Sequence, residues 1–94
     1  MEKIEFKLSQ PLKMKYGREK VNVQIPDGGK LRRGLEELGR EIGETFVVKG
    51  KIDGPWKNHI NLVVNGEPVH RSEINNYVLK DGDTVHILIP FGGG

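Results

Sequence analysis

Only one stretch of this 94-residue chain carries the periodicity of a long helix. Leu31, Leu35, Leu38 and Ile42 follow at spacings of four, three and four, which stacks them on one helical face that Gly43 can stop. The other patterned stretches alternate with a period of two, as strands do. A lone helix with a single apolar stripe has to bury that stripe against a sheet. Gly34 and Gly39 within it each cost about 1 kcal/mol relative to alanine, so the helix depends on tertiary packing, and their small size lets it sit close to that sheet.

The strands can be read on either side. Ile4, Phe6 and Leu8 alternate with Glu5 and Lys7, giving a first strand over Ile4 to Leu8. After a lysine-rich stretch bracketed by Pro11 and Gly17, Val21, Val23 and Ile25 alternate with Asn22 and Gln24, and the two segments read as a hairpin. Pro26-Asp27-Gly28-Gly29 ends the second strand. Beyond the helix, Glu44 to His59 mixes strand formers (Phe46, Val47, Val48) with breakers (Gly50, Gly54, Pro55) and is left irregular, with Trp56 as a lid over one end of the core. Ile60 to Val64, the turn Asn65-Gly66 and Glu67 to Val69 form a second hairpin. Glu73 to Tyr77 has no clear period. Lys80-Asp81-Gly82-Asp83 is a tight turn into a last, mostly apolar strand, Thr84 to Ile89. Two hairpins flanking one helix can share a mixed sheet of four to five strands with the helix across one face, a ubiquitin-like β-grasp arrangement. The expected division is a β-grasp domain over 1–89 and a flexible glycine tail over 90–94.

Size and composition narrow the function. A chain this short buries only about 60 to 70% of its unfolded surface, so a large internal substrate cavity would remove core it needs. Fifteen basic against 13 acidic residues give a net charge of +2, too balanced to point to nucleic acid. The absence of cysteine excludes disulfides, thiolate metal sites and cysteine nucleophiles within this chain. No Walker motif or G-x-G-x-x-G is present, and Glu36-Glu37 read as a wet helix face, so no catalytic residue is assigned. His59, His70 and His86 lie in three separate segments without the spacing of a zinc motif, and no metal ligand is assigned. Without a signal-like N-terminus or an apolar run of about 20 residues, the expected location is cytoplasmic.

What remains is the end of the sequence. The last strand runs into Pro90-Phe91-Gly92-Gly93-Gly94. Glycine lacks Cβ, so such a tail can pass through a channel too narrow for side chains and deliver the Gly94 carboxylate into another protein's active site. A free carboxylate is a poor electrophile and must first be activated, for instance as an acyl-adenylate. Pro90 would hold the tail's start extended and Phe91 would offer one large apolar anchor beside it. On the last strand, Val85, Ile87 and Ile89 share one face and His86 and Leu88 the other. If the helix covers the first, His86 and Leu88 face outward toward the tail, either as docking residues or as ordinary exposed ones.

Three stretches resemble one known family: Leu62-Val63-Val64-Asn65-Gly66-Glu67-Pro68-Val69, Leu79-Lys80-Asp81-Gly82-Asp83-Thr84-Val85-His86-Ile87, and Pro90-Phe91-Gly92-Gly93-Gly94. Their order and spacing are similar to those of ubiquitin-like sulfur carriers of the molybdopterin-synthase small-subunit (MoaD) and thiamine-biosynthesis (ThiS) type, with the related archaeal small modifiers. Chain length and the stretch from Phe46 to His59 tilt the resemblance toward the molybdopterin and archaeal members. The resemblance implies that an ATP-dependent, ubiquitin-activating-like enzyme adenylates Gly94, with Gly93 beside it, and that a persulfide donor converts it to a thiocarboxylate. Gly92, Phe91, Pro90, Leu88 and His86 would dock the tail on its partners, among them the large subunit of molybdopterin synthase, and ATP would be used by the partner, with no cofactor bound here. In the modifier branch, Gly94 would be joined to a lysine amine instead.

A rival reading makes the tail inert and the chain a ubiquitin-fold binding module, contacting RNA through Lys13, Lys15, Arg18 and Lys20 or through Lys30, Arg32 and Arg33. Aromatics are scarce around these charges, which more often are simply solvated. Membranes and nucleic acid are not expected partners.

Overall fold

The structure, a computed structural model, describes residues 1–90. Strand β1 (Glu2–Leu8) and strand β2 (Lys20–Ile25) pair antiparallel, Ile4 opposite Val23 and Phe6 opposite Val21. Helix α2 (Leu31–Ile42) follows, then the short β3 (Val47–Val48) and β4 (Lys51–Ile52). Strands β5 (Asn61–Val64) and β6 (Glu67–Val69), a 3-10 turn at Arg71–Glu73 and strand β7 (Thr84–Leu88) complete the chain. The main sheet has the order β2-β1-β7-β5-β6, a five-stranded mixed sheet with one main helix, as the β-grasp reading anticipates. β7 lies at its centre, parallel to β1 and antiparallel to β5.

The core is the sum of the alternating faces. Ile4, Phe6, Val21, Ile25, Val85 and Ile87 from the sheet are fully or almost fully buried against Leu31, Leu35 and Leu38 of α2. The glycines set the separation: a Cβ on Gly34 would stand 3.0 Å from Leu79 Cδ1 and 3.2 Å from Phe6 Cζ, and one on Gly39 would meet the Glu44 carbonyl oxygen at 2.3 Å.

Two stretches differ from the sequence reading. The lysine-rich connection between β1 and β2 contains a helix of its own, α1 (Leu12–Tyr16), held to the core by buried Leu12. Five residues with one core contact carry no readable period. Inside 44–59, Val47 pairs with Ile52 and Val48 with Lys51 around a two-residue turn in which both Lys49 (φ 52°) and Gly50 (φ 77°) take positive φ. Lysine seldom adopts that conformation, which hid the hairpin. The Asn75 side-chain amide holds the turn by donating to Gly50 O at 2.7 Å.

Trp56 does cover one end of the core, and Glu44 gathers the parts that meet there. Its Oε2 accepts from Trp56 Nε1 at 3.1 Å and from the Tyr16 hydroxyl, and pairs with Lys15 Nζ at 3.3 Å. Burial alone would raise the Glu44 pKa, but the donors Tyr16, Trp56, the Thr45 amide and Lys15 together outweigh it and hold the carboxyl below its usual range. The Tyr16 phenol is pushed up, first by burial and then by its bond to Glu44. α1, the C-terminus of α2 and the 44–59 segment are thereby tied to one carboxylate.

Candidate functional site

The sheet presents the last described residues from its most enclosed strand. Ile87 and Ile89 point into the core while Leu88, at 39% exposure, and half-buried His86 lie on the face away from α2. Pairing puts Lys20, Lys7, His86, Val63 and Pro68 in one row across that face, with Leu88 opposite Asn61 beside it. The expected outward placement of His86 and Leu88 therefore holds. The His86 Nδ1 is buried and has no hydrogen-bond partner among the described residues.

Where β7 ends, Ser9 takes over the ladder. Its backbone N–H donates to Ile87 O at 3.2 Å, its hydroxyl donates to the same oxygen at 3.0 Å, and Ile89 N–H donates to the hydroxyl at 3.2 Å. A residue just beyond the end of β1 thus pins the chain two residues past Ile87. Pro90 is exposed and, with Leu88, Ile89, Ser9, Gln10 and Asn61, borders a shallow, largely apolar depression. Phe91, Gly92, Gly93 and Gly94 lie outside the described residues. Ser9 escaped the sequence reading because its importance arises from the parallel pairing of β1 with β7, which links positions 78 residues apart.

The opposite end of the sheet is closed by the two turns in the sequence motifs. Asn65 (φ 50°) and Gly66 (φ 86°) form the hairpin turn, the Asn65 amide donates to Asp83 Oδ1 at 2.8 Å, and Thr84 N–H donates to Asn65 Oδ1 at 2.9 Å. Asp83 Oδ2 accepts from Lys80 N–H at 2.8 Å and Asp81 Oδ1 from Lys3 N–H at 2.7 Å. These carboxylates are spent on the Lys3 and Lys80 amides and the Asn65 side chain, and they fix where β7 starts. Among the described residues no group of three or more His, Asp or Glu is arranged to hold a metal ion, and no helix is long and apolar enough to cross a membrane.

Of the seven basic side chains in the two groups read from the sequence, four are paired in place. Lys13 pairs with Glu19 at 3.7 Å, Lys15 with Glu44 at 3.3 Å, Arg18 with Glu41 at 3.6 Å and Arg33 with Glu37 at 3.0 Å. An RNA surface built on these side chains would first have to break those pairs.

No curated protein sequence matches the chain. Solved structures do. Small archaeal modifier protein 1 from Haloferax volcanii superposes with a TM-score of 0.79 at 24% identity, covering 98% of this chain and 99% of that one. Its namesake from Methanosarcina acetivorans gives 0.73 at 25% identity, covering 100% and 98%. A chain of the complex of subunits 1 and 2 of molybdopterin-converting factor from Helicobacter pylori gives 0.54 at 23%, covering 98% and 99%. All share the β-grasp fold of this chain. Residues 7–94, which run from the end of β1 through α2, the β5–β6 hairpin and the pinned end of β7 to the glycine run, match the sequence profile of the ThiS family, and the chain belongs to that family.

Proposed function

We propose that this protein is a sulfur carrier whose Gly94 carboxylate is the group that reacts. The carboxylate oxygen attacks the α-phosphorus of ATP in a separate adenylating enzyme, and pyrophosphate leaves. The terminal sulfur of a persulfide attacks the carbonyl carbon and AMP leaves. A thiol then cleaves the acyl disulfide, giving the thiocarboxylate and a new disulfide. Membership of the ThiS family, over a match that includes residue 94, is the observation that carries the reading. The pinned root at Ser9 supports it, because three hydrogen bonds hold the chain in a defined place just before Pro90. Leu88 and His86, outward on the same face, are the side chains proposed to meet the enzyme, with Pro90, Phe91 and Gly92 guiding Gly93 and Gly94 inward. Delivery of the sulfur to a pterin precursor in molybdopterin biosynthesis is the proposed pathway, in line with the similarity to a chain of the molybdopterin-converting factor complex. Conjugation of Gly94 to lysine amines is the second reading, favoured by the two archaeal modifiers among the similar structures.

The test incubates the intact chain with ATP, adenylating enzymes of the source cell and a persulfide donor, and reads the C-terminal peptide by mass spectrometry. Replacement of one oxygen by sulfur, absent without Gly93 and Gly94 and slowed in Leu88→Asp, is the carrier outcome. An isopeptide to lysine without sulfur is the modifier outcome. Neither product, with enzymes that charge another carrier, would leave the tail inert and refute both.

A further inference from the structure

Beside the tail root lies a depression that the reaction proposed above does not use. It shares Pro90 and Asn61 with the apolar one and adds Asn58, His59, His70 and Arg71 over a floor of Ile60 and Leu62. The sequence separates the two histidines, but the fold brings both to this one rim, because the segment before β5 and the turn after β6 flank the same edge. None of the lining residues is acidic.

Its donors are unspent. Arg18, Arg33 and Arg40 each face a carboxylate, whereas Arg71 has none within salt-bridge distance among the described residues. The half-buried Arg71 guanidinium gives one N–H to the Lys57 carbonyl, which orients it and leaves most of its fork free. His70 Nδ1 is engaged by Ser72, with its N–H at 3.1 Å, which leaves Nε2 as the ring nitrogen available to a ligand. The rim therefore offers one permanent positive charge, on Arg71, beside the side-chain amides of Asn58 and Asn61 and two imidazole rings. That balance matches a monoanionic carboxylate, whereas a phosphate dianion calls for more cations or a ring of backbone amides.

We propose that this depression receives an aspartate or glutamate side chain of the protein that takes up the tail. The proposal rests on the carrier or modifier reading, which is what brings a second protein here. Gly94 is only four residues beyond Pro90, at most about 14 Å of extended chain. Whatever protein engages Gly94 consequently comes within reach of this rim, and a carboxylate on it, seated at the rim's mouth, would fix the orientation of docking and reject partners lacking it.

The experiment titrates the isotope-labelled intact chain with a hexaglutamate peptide, and in parallel with inorganic phosphate, following backbone amides by NMR. The expected result is peptide-induced shifts concentrated at 58–61 and 70–71. Arg71→Gln should bind about tenfold more weakly. Lys13→Gln, on α1, should bind as the parent does. Asn58→Asp, which keeps the Arg71 bond to Lys57 and adds a negative charge to the rim, should abolish the shifts even if Arg71→Gln proves unstable. The proposal is overturned if shifts spread over every lysine-bearing surface, if Asn58→Asp binds unchanged, or if phosphate binds these residues more tightly than the peptide. Since Gly94 takes no part in the titration, failure here leaves the carrier reading standing, and failure to charge Gly94 leaves this site standing.

Discussion

Replacing Ser9 by alanine removes one hydroxyl and isolates the tail root as a variable. In the native structure that hydroxyl stands between Ile87 O, at 3.0 Å, and Ile89 N, at 3.2 Å. Ile87 O keeps its bond from the Ser9 backbone N–H, so it stays satisfied in the variant. Ile89 N–H does not: its residue is only 7% exposed, leaving a buried donor without an acceptor. Such a group costs about 1 to 3 kcal/mol. In a domain of this size each kcal/mol shifts Tm by roughly 4 to 8 °C, so Ser9→Ala should melt about 4 to 24 °C lower. Ser9→Thr, which keeps the hydroxyl, should stay within about 0.5 kcal/mol of the parent. Thermal melts give the magnitude, and hydrogen exchange gives the location, since protection should fall most at the Ile89 amide. An unchanged Tm together with unchanged Ile89 exchange in Ser9→Ala would show that the hydroxyl bridge does not hold the root.

Two further outcomes follow from the other end of α2. Gly39→Ala should gain about 1 kcal/mol from helix propensity, but its Cβ would sit 2.3 Å from a backbone oxygen, and overpacking of that kind costs about 1 to 3 kcal/mol; urea unfolding should show a net loss, and a gain would refute the close approach. Glu44→Gln should destabilise at neutral pH. Because the native Glu44 pKa is lowered, the carboxylate's contribution is fully present above the ordinary glutamate value and is lost as pH falls through the native one. The gap in urea midpoint between parent and variant should therefore narrow below about pH 4, and a gap independent of pH would remove Glu44 from the role given it here.

Local pattern carried much of this fold and distance hid the rest. The Leu31–Ile42 helix, the Asn65-Gly66 turn and the outward placement of His86 and Leu88 depend on neighbours a few residues away, where periodicity and turn chemistry act. The parallel pairing of β1 with β7 leaves no such mark, and neither Ser9 nor the shared rim of His59, His70 and Arg71 can be found without it or its counterpart at the far edge. α1 was missed for another reason: Leu12 is its single fully buried residue, and one apolar position defines no period. The glycine run was legible as a chemical proposition, which membership of the ThiS family makes worth testing.

The central position of β7 also has a mechanical meaning. A pull on the chain beyond Pro90, while a partner grips the sheet face, is directed along β7 and parallel to its neighbours. The ladders to β1 and β5 are then loaded in shear, where their hydrogen bonds share the force, and not peeled open one at a time as at a sheet edge. A domain wired this way resists unravelling when its C-terminal end is pulled along the strand.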